Sequence, residues 1–253
     1  MRRSAFRATT AIALSIVAMS GTATAQQILI LAEDVPAGLN YDGPSAAIPA
    51  SQQGMVTLLE PLIGYADGEV VDGVMMPDFS SFEGRLAESW EYDADTLTWT
   101  IHLRQGVTGC GGATFDADDV IYTFERAKSV SGAAPIGWFL SNVASIEGFD
   151  ESTFDESNPA AQELGDSIVK IDDYTVQIRQ SEPNALLLPV LSIFGLLIFD
   201  KETMEAHATE EDPWSHDYVN NTNAPGFGGY CLESWVKNEQ ITYTAFPDYY
   251  RGT

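Results

Sequence analysis

Two cysteines, three histidines and the adjacent carboxylates Asp118 and Asp119 are the residues through which this chain could do chemistry. His102, His207 and His216 are of the type that ligates metals or shuttles protons, but they are scattered through a strand pattern and a polar segment. Their spacing gathers no metal set, so each reads as structural or solvated. Asp118 and Asp119 look like an acid/base pair, yet they follow Asp116 at the start of a helical pattern, where the helix dipole and capping account for both. Neither G-x-S-x-G nor H-E-x-x-H occurs. No nucleophile can be assigned a base, so we expect no enzyme, no metal and no cofactor.

The compartment decides what the cysteines do. Arg2, Arg3 and Arg7 precede an apolar run from Ala11 to Met19, and Ala23-Thr24-Ala25 supplies small residues at a cleavage position. The run is short of the roughly 20 residues that span a bilayer, so residues 1–25 read as a cleavable signal peptide. Arg2-Arg3 leaves the general and twin-arginine routes both open. With no cysteine at the cleavage site, a lipid anchor is not expected. Export places Cys110 and Cys231 in an oxidising environment, where one disulfide is expected, two buried reduced thiols being the alternative. Two cysteines without a nearby histidine are too few ligands for zinc.

Charge excludes a further class. The chain carries 12 Lys and Arg against 37 Asp and Glu, a formal charge of −25. Residues 1–25 hold three of the basic residues and none of the acidic ones, so export leaves nine basic residues against thirty-seven acidic. Nucleic acid is not an expected partner. The acidity reads as a solvated surface. Five Trp, ten Tyr and twelve Phe within a 45% hydrophobic composition build sizeable cores.

The elements follow from periodicity and turn chemistry. Residues 27–32 read as a short apolar strand, 33–41 as an irregular loop and 50–62 as a helix, with a loop or short hairpin over 70–82. Trp90 and Tyr92, then Leu97, Trp99, Ile101 and Leu103, alternate with polar residues across Asp93-Ala94-Asp95, which predicts a hairpin with one buried face. Asp116 and Asp119 form a capping pattern ahead of a helix over 117–128. The acidic, patternless stretch 150–166 reads as a surface excursion. Two more hairpins are expected, 168–171 with 174–178 and 230–235 with 241–246. The apolar stretch 185–199, broken by Pro189, Ser192 and Gly195, reads as a core helix turning into a strand.

Over residues 84–129 these elements coincide with a family pattern. Leu86-Ala87-Glu88-Ser89-Trp90, Leu97-Thr98-Trp99-Thr100-Ile101-His102-Leu103-Arg104-Gln105-Gly106-Val107, Phe115-Asp116-Ala117-Asp118-Asp119-Val120 and Tyr122-Thr123-Phe124-Glu125-Arg126-Ala127 occur in that order. Tyr174-Thr175-Val176, Glu182-Pro183-Asn184, Gly226-Phe227-Gly228-Gly229-Tyr230, Trp235 and Pro247-Asp248-Tyr249-Tyr250 continue it. The chain resembles the family 5 extracellular solute-binding proteins, the group of oligopeptide, dipeptide and nickel binders.

The resemblance implies an α/β, periplasmic-binding-protein-like (type II) lobe of mixed sheet and helices, carrying an inserted smaller α+β domain. It places the first lobe at 26–69 and 166–253 and the insertion at 70–165, with the family's second lobe missing. The disulfide would then pin the insertion to the first lobe. The implied function is capture of a peptide-like solute in the periplasm for an ABC importer, by a monomer that meets permease subunits of the inner membrane. An exported adhesion or chaperone-like module on the same scaffold is the alternative reading. The ligand positions that carry over are Leu39, Asn40, Tyr41 and Asp42 in the loop after the first strand, and Gly226, Phe227 and Gly228 in the glycine turn. Phe227 stands where relatives often have Thr or Asn, which implies an apolar wall in place of a polar contact.

Overall fold

The computed structural model describes residues 34–41, 48–128, 136–148, 166–192 and 196–252. The expected signal peptide, the strand over 27–32, the ligand position Asp42 and most of the 150–166 excursion lie outside these residues.

Helix α1 spans Pro49–Leu58, with Pro49 at its first position, where the missing N–H is no loss. It stops short of the expected 50–62, because Pro61 cannot continue it and the chain turns extended at Leu59. Glu60–Pro61 becomes β1, followed by β2 (Ile63–Val71) and β3 (Val74–Gly84). The expected loop or short hairpin over 70–82 is therefore the outer part of a long two-stranded ribbon. Asp72 and Gly73 take positive φ of 52° and 83°, the tight turn that matches strand twist.

β4 (Ala87–Asp93) and β5 (Thr98–Leu103) form the hairpin expected from alternation, with Ile101 and Leu103 buried. Helix α2 covers Ala117–Lys128, as its capping residues predict. Asp119 accepts the Asp116 N–H at 2.9 Å while Asp116 accepts the Asp118 N–H at 2.7 Å, so two orphan donors of the first turn are satisfied reciprocally. Helix α3 spans Ile136–Asn142, and β6 (Ile168–Asp172) and β7 (Thr175–Arg179) make the next hairpin.

These four strands join into one antiparallel sheet of order β4-β5-β7-β6. The expected division between 165 and 166 runs through this sheet, because β5 is hydrogen-bonded to β7 from Thr98↔Arg179 to His102↔Thr175. The stretch 185–199 resolves into α4 (Leu187–Leu191) and β8 (Leu197–Ile198), and β8 pairs with β1. Short helices α5 (Lys201–Glu205) and α6 (His216–Asn221) lead to the last hairpin, β9 (Tyr230–Val236) and β10 (Gln240–Ala245).

Two apolar cores hold this arrangement. One packs the four-stranded sheet against α2, α3 and α4 through residues such as Ile101, Val120, Phe124, Val176 and Leu187. The other gathers Leu39, Tyr41, Met55, Leu59, Leu197 and Phe199 under α1 and β8. Cys110 and Cys231 are disulfide-bonded, Cα atoms 5.7 Å apart, tying the loop after β5 to β9.

Candidate functional site

β8 stands between the two segments expected to meet ligand. On one side the Tyr41 hydroxyl donates to the Leu197 carbonyl at 2.6 Å, and its ring stacks on Phe199 at 5.2 Å. On the other, Phe199 bridges to Gly226. The structure thus brings Leu39, Asn40 and Tyr41 and the turn Gly226-Phe227-Gly228 onto one small framework built from α1, β1 and β8.

Their side chains face inward. Leu39, Tyr41 and Phe227 are at most 1% exposed. Phe227 meets Phe115 edge-on at 5.2 Å within the larger core, so its side chain forms no open apolar wall in this chain. The glycines are required by close approach. A Cβ on Gly228 would lie 2.5 Å from the Leu58 carbonyl carbon, and one on Gly226 would lie 2.3 Å from Leu59 Cδ2 and 2.8 Å from the Ile198 carbonyl. That proximity lets the Gly228 N–H donate to the last turn of α1, at Leu58 O, 2.9 Å away.

Asn40 is held by a cation that sequence reading passed over. Arg126 on α2 is fully buried, and its guanidinium donates to Asn40 Oδ1 at 3.0 Å and to the Trp214 carbonyl at 2.9 Å. It also lies 2.9 Å from His216 Nδ1 and 4.6 Å over the Phe199 ring. Asn40 Nδ2 reaches the same His216 nitrogen at 2.9 Å. Two N–H donors converge on Nδ1, which assigns it the acceptor role and puts the ring proton on Nε2. His216 is therefore a structural acceptor within an Arg126-centred network that fixes the loop.

A cavity of about 360 Å³ opens beside this framework, lined by Val56, Leu59, Pro61, Pro77 and Leu197 with Glu60, Tyr65 and Arg85. Arg251 also lines it, 3.7 Å from Glu60 and 3.2 Å from Glu83. Glu60 accepts from the Tyr249 hydroxyl at 2.7 Å. Burial raises the Glu60 carboxyl above its ordinary range, against the lowering pull of the Tyr249 hydrogen bond and the Arg85 charge. The cavity thus combines apolar walls with side chains of both charge signs. Of the family pattern, Pro247-Asp248-Tyr249-Tyr250 reaches this cavity through the Tyr249 and Tyr250 hydroxyls on Glu60. Among the described residues, no three His, Cys, Asp or Glu side chains could hold a metal ion, and no helix is long and apolar enough to cross a membrane.

The profile of the bacterial extracellular solute-binding proteins, family 5 Middle, matches residues 81–253. The periplasmic oligopeptide-binding protein OppA of Escherichia coli (strain K12) is 27% identical over 236 residues, 88% of this chain and 40% of that protein. Di/tripeptide-binding protein 4 of Pseudomonas aeruginosa (strain UCBPP-PA14) is 28% identical over 255 residues, 96% of this chain and 42% of that protein. In structure, Haemophilus influenzae OppA in complex with RPPGFSPFR superposes with a TM-score of 0.66 at 24% identity, covering 86% of this chain and 38% of that one. The Escherichia coli murein tripeptide binding protein MppA gives 0.64 at 21% identity, covering 87% and 38%. The fold is that of these type II periplasmic binding proteins, and the chain spans about two fifths of their length.

Proposed function

Because this chain belongs to the bacterial extracellular solute-binding proteins of family 5, we propose that the protein it represents captures a peptide-like solute in the periplasm for an ABC importer. The observation that carries the reading is the family match over residues 81–253, which takes in the four-stranded sheet, α2 and the glycine turn. The framework of α1, β1 and β8 forms one wall of the solute site, with the cavity at Glu60, Arg85 and Arg251 beside it. Leu39, Asn40, Tyr41 and the turn Gly226-Phe227-Gly228 enter as backbone positions held in place by the core, and Asp42 follows Tyr41 in the sequence. Guanidinium edges offer a carboxylate partner and Glu60 an ammonium partner, the two ends of a peptide. The working unit is a monomer that hands its solute to permease subunits of the inner membrane.

Calorimetry of the complete protein against di- and oligopeptides tests this, beside residues 26–253 alone. Two lobes enclose most of a ligand's surface where one offers an open face, so the fragment should bind at least 100-fold more weakly. Submicromolar binding by the fragment, or no peptide bound by the complete protein, would overturn the reading.

A further inference from the structure

The loop between β5 and α2 packs directly on the glycine turn. It folds on itself, with Thr108 bridging Thr114, the Gly109 N–H donating to the Ala113 carbonyl at 2.9 Å and the Phe115 N–H to the Val107 carbonyl at 3.0 Å. Gly109 is buried, and a Cβ there would lie 2.7 Å from the Gly226 carbonyl oxygen and 3.5 Å from Phe227 Cδ1. Phe115 meets Phe227 edge-on. The turn therefore has two sets of neighbours, Leu58, Leu59 and Ile198 in the framework and Gly109 and Phe115 in the loop.

The framework holds the turn by polar bonds, and the loop does not. The Gly228 N–H donates to Leu58 O at 2.9 Å, and the Asp200 N–H donates to the Pro225 carbonyl at 3.1 Å. Among the described residues, no hydrogen bond or ion pair joins residues 108–114 to residues 225–231. Their fastening is the Cys110–Cys231 bond. Cys110 follows Gly109 directly and Cys231 stands three residues beyond Gly228, so the bond acts where the loop touches the turn. Gly112, at a φ of 85°, gives the loop backbone freedom that the covalent tie restrains. Cys110 is exposed, within reach of a dissolved dithiol.

We propose that the Cys110–Cys231 bond is a positioning element of the solute site, which keeps Gly109 against the Gly226 carbonyl and so keeps the backbone of the turn ordered for binding. The inference rests on the reading above that this turn meets solute. Opening the bond takes two electrons and two protons from a dithiol, which leaves as its disulfide while Cys110 and Cys231 become thiols. The loop can then lift, and the turn loses one of its two sets of neighbours. Ordering it again on binding lowers affinity. Solute affinity follows the redox state of one exposed bond.

Two measurements on the complete protein test this, each made on the oxidised, dithiothreitol-reduced and reoxidised forms below the temperature at which the reduced form unfolds. On reduction, amide hydrogen exchange should accelerate about tenfold or more across residues 225–229 and stay unchanged in β7. The Kd for a tripeptide mixture, read by calorimetry, should rise about tenfold and return on reoxidation. C110S/C231S should behave as the reduced protein does. G109A, which keeps the bond but drives a methyl group at the Gly226 carbonyl, should raise the Kd while oxidised, and it decides the matter with the reduced protein where C110S/C231S does not fold. Exchange at 225–229 that ignores reduction overturns the inference and leaves the importer reading standing. Acceleration spread evenly through β7 does the same, since the bond would then be a general staple. Faster exchange at the turn with an unchanged Kd also overturns it. A protein that takes up no tripeptide in either state overturns the importer reading together with the inference.

Discussion

Arg126 and Asn40, 86 positions apart in sequence, share a 3.0 Å hydrogen bond from Nη1 to Oδ1 in the interior of the protein. The bond couples the middle of α2 to the loop expected to meet solute. Removing the guanidinium by R126A strips a donor from Asn40 Oδ1, the Trp214 carbonyl and His216 Nδ1 together. His216 Nδ1 keeps the Asn40 Nδ2 donor, but the other two acceptors are left unpaired at about 1–3 kcal/mol each, so R126A should lose about 3 kcal/mol or more. For a protein of this size that is a fall in Tm of about 6–12 °C, readable by calorimetry. N40A should lose less than half as much. Equal stability of R126A and the unmodified protein would refute the network.

Asp119 makes stability depend on pH in an unusual direction. It is 3% exposed, and burial pushes its carboxyl up to about 7, against the Lys201 and Asp116 backbone donors that lower it. The folded state therefore binds a proton that the unfolded state has already released above about 4. Stability from this group is largest below that pH and is lost as pH rises towards 7. Since D119N cannot ionise, the stability difference should move in favour of the variant, by a few kcal/mol at most, between pH 4 and 8. Denaturant melts of both proteins across that range check it, and a flat difference would contradict it.

The Cys110–Cys231 bond closes a separation of 121 residues. Chain entropy for such a loop amounts to roughly 5 kcal/mol as an upper bound. Reduction should lower the denaturant midpoint accordingly. Alkylation of the exported protein under non-reducing conditions should label no thiol in mass spectrometry, and two labelled cysteines would dispose of the bond.

Gly228 and Gly73 should respond differently to alanine. A Cβ on Gly228 meets the Leu58 backbone at 2.5 Å, whereas one on Gly73 meets nothing within 4 Å and strains only its φ of 83°. G228A should therefore cost about 1–3 kcal/mol by overpacking, and G73A about 1 kcal/mol. Comparable losses from the two would mean that the framework yields where Gly228 touches α1.

What the sequence made legible was local. Asp116 and Asp119 announced α2 to the residue, and alternation through Trp99, Ile101 and Leu103 announced β5, because caps and period-2 burial act within a few residues. The partner of β5 did not show, since pairing with β7 joins Trp99 to Ile178 across a long connection that no local pattern records. The outer ribbon, read only as a loop or short hairpin, was shortened for a different reason. Its exposed Val and Met residues break the in/out alternation by which strands are recognised. At the site, Arg126 stood only as one letter of the Tyr122–Ala127 motif, and Phe227 read as lining because its turn, not its burial, was what the motif displayed.

Native mass spectrometry of the complete protein, purified from producing cells without denaturation, tests the central claim most directly. We expect one bound solute per chain, released on unfolding and fragmenting as a short peptide or a close relative of one. A protein that carries no solute and gains none from a peptide mixture, or one loaded with a metal ion alone, would contradict the assignment.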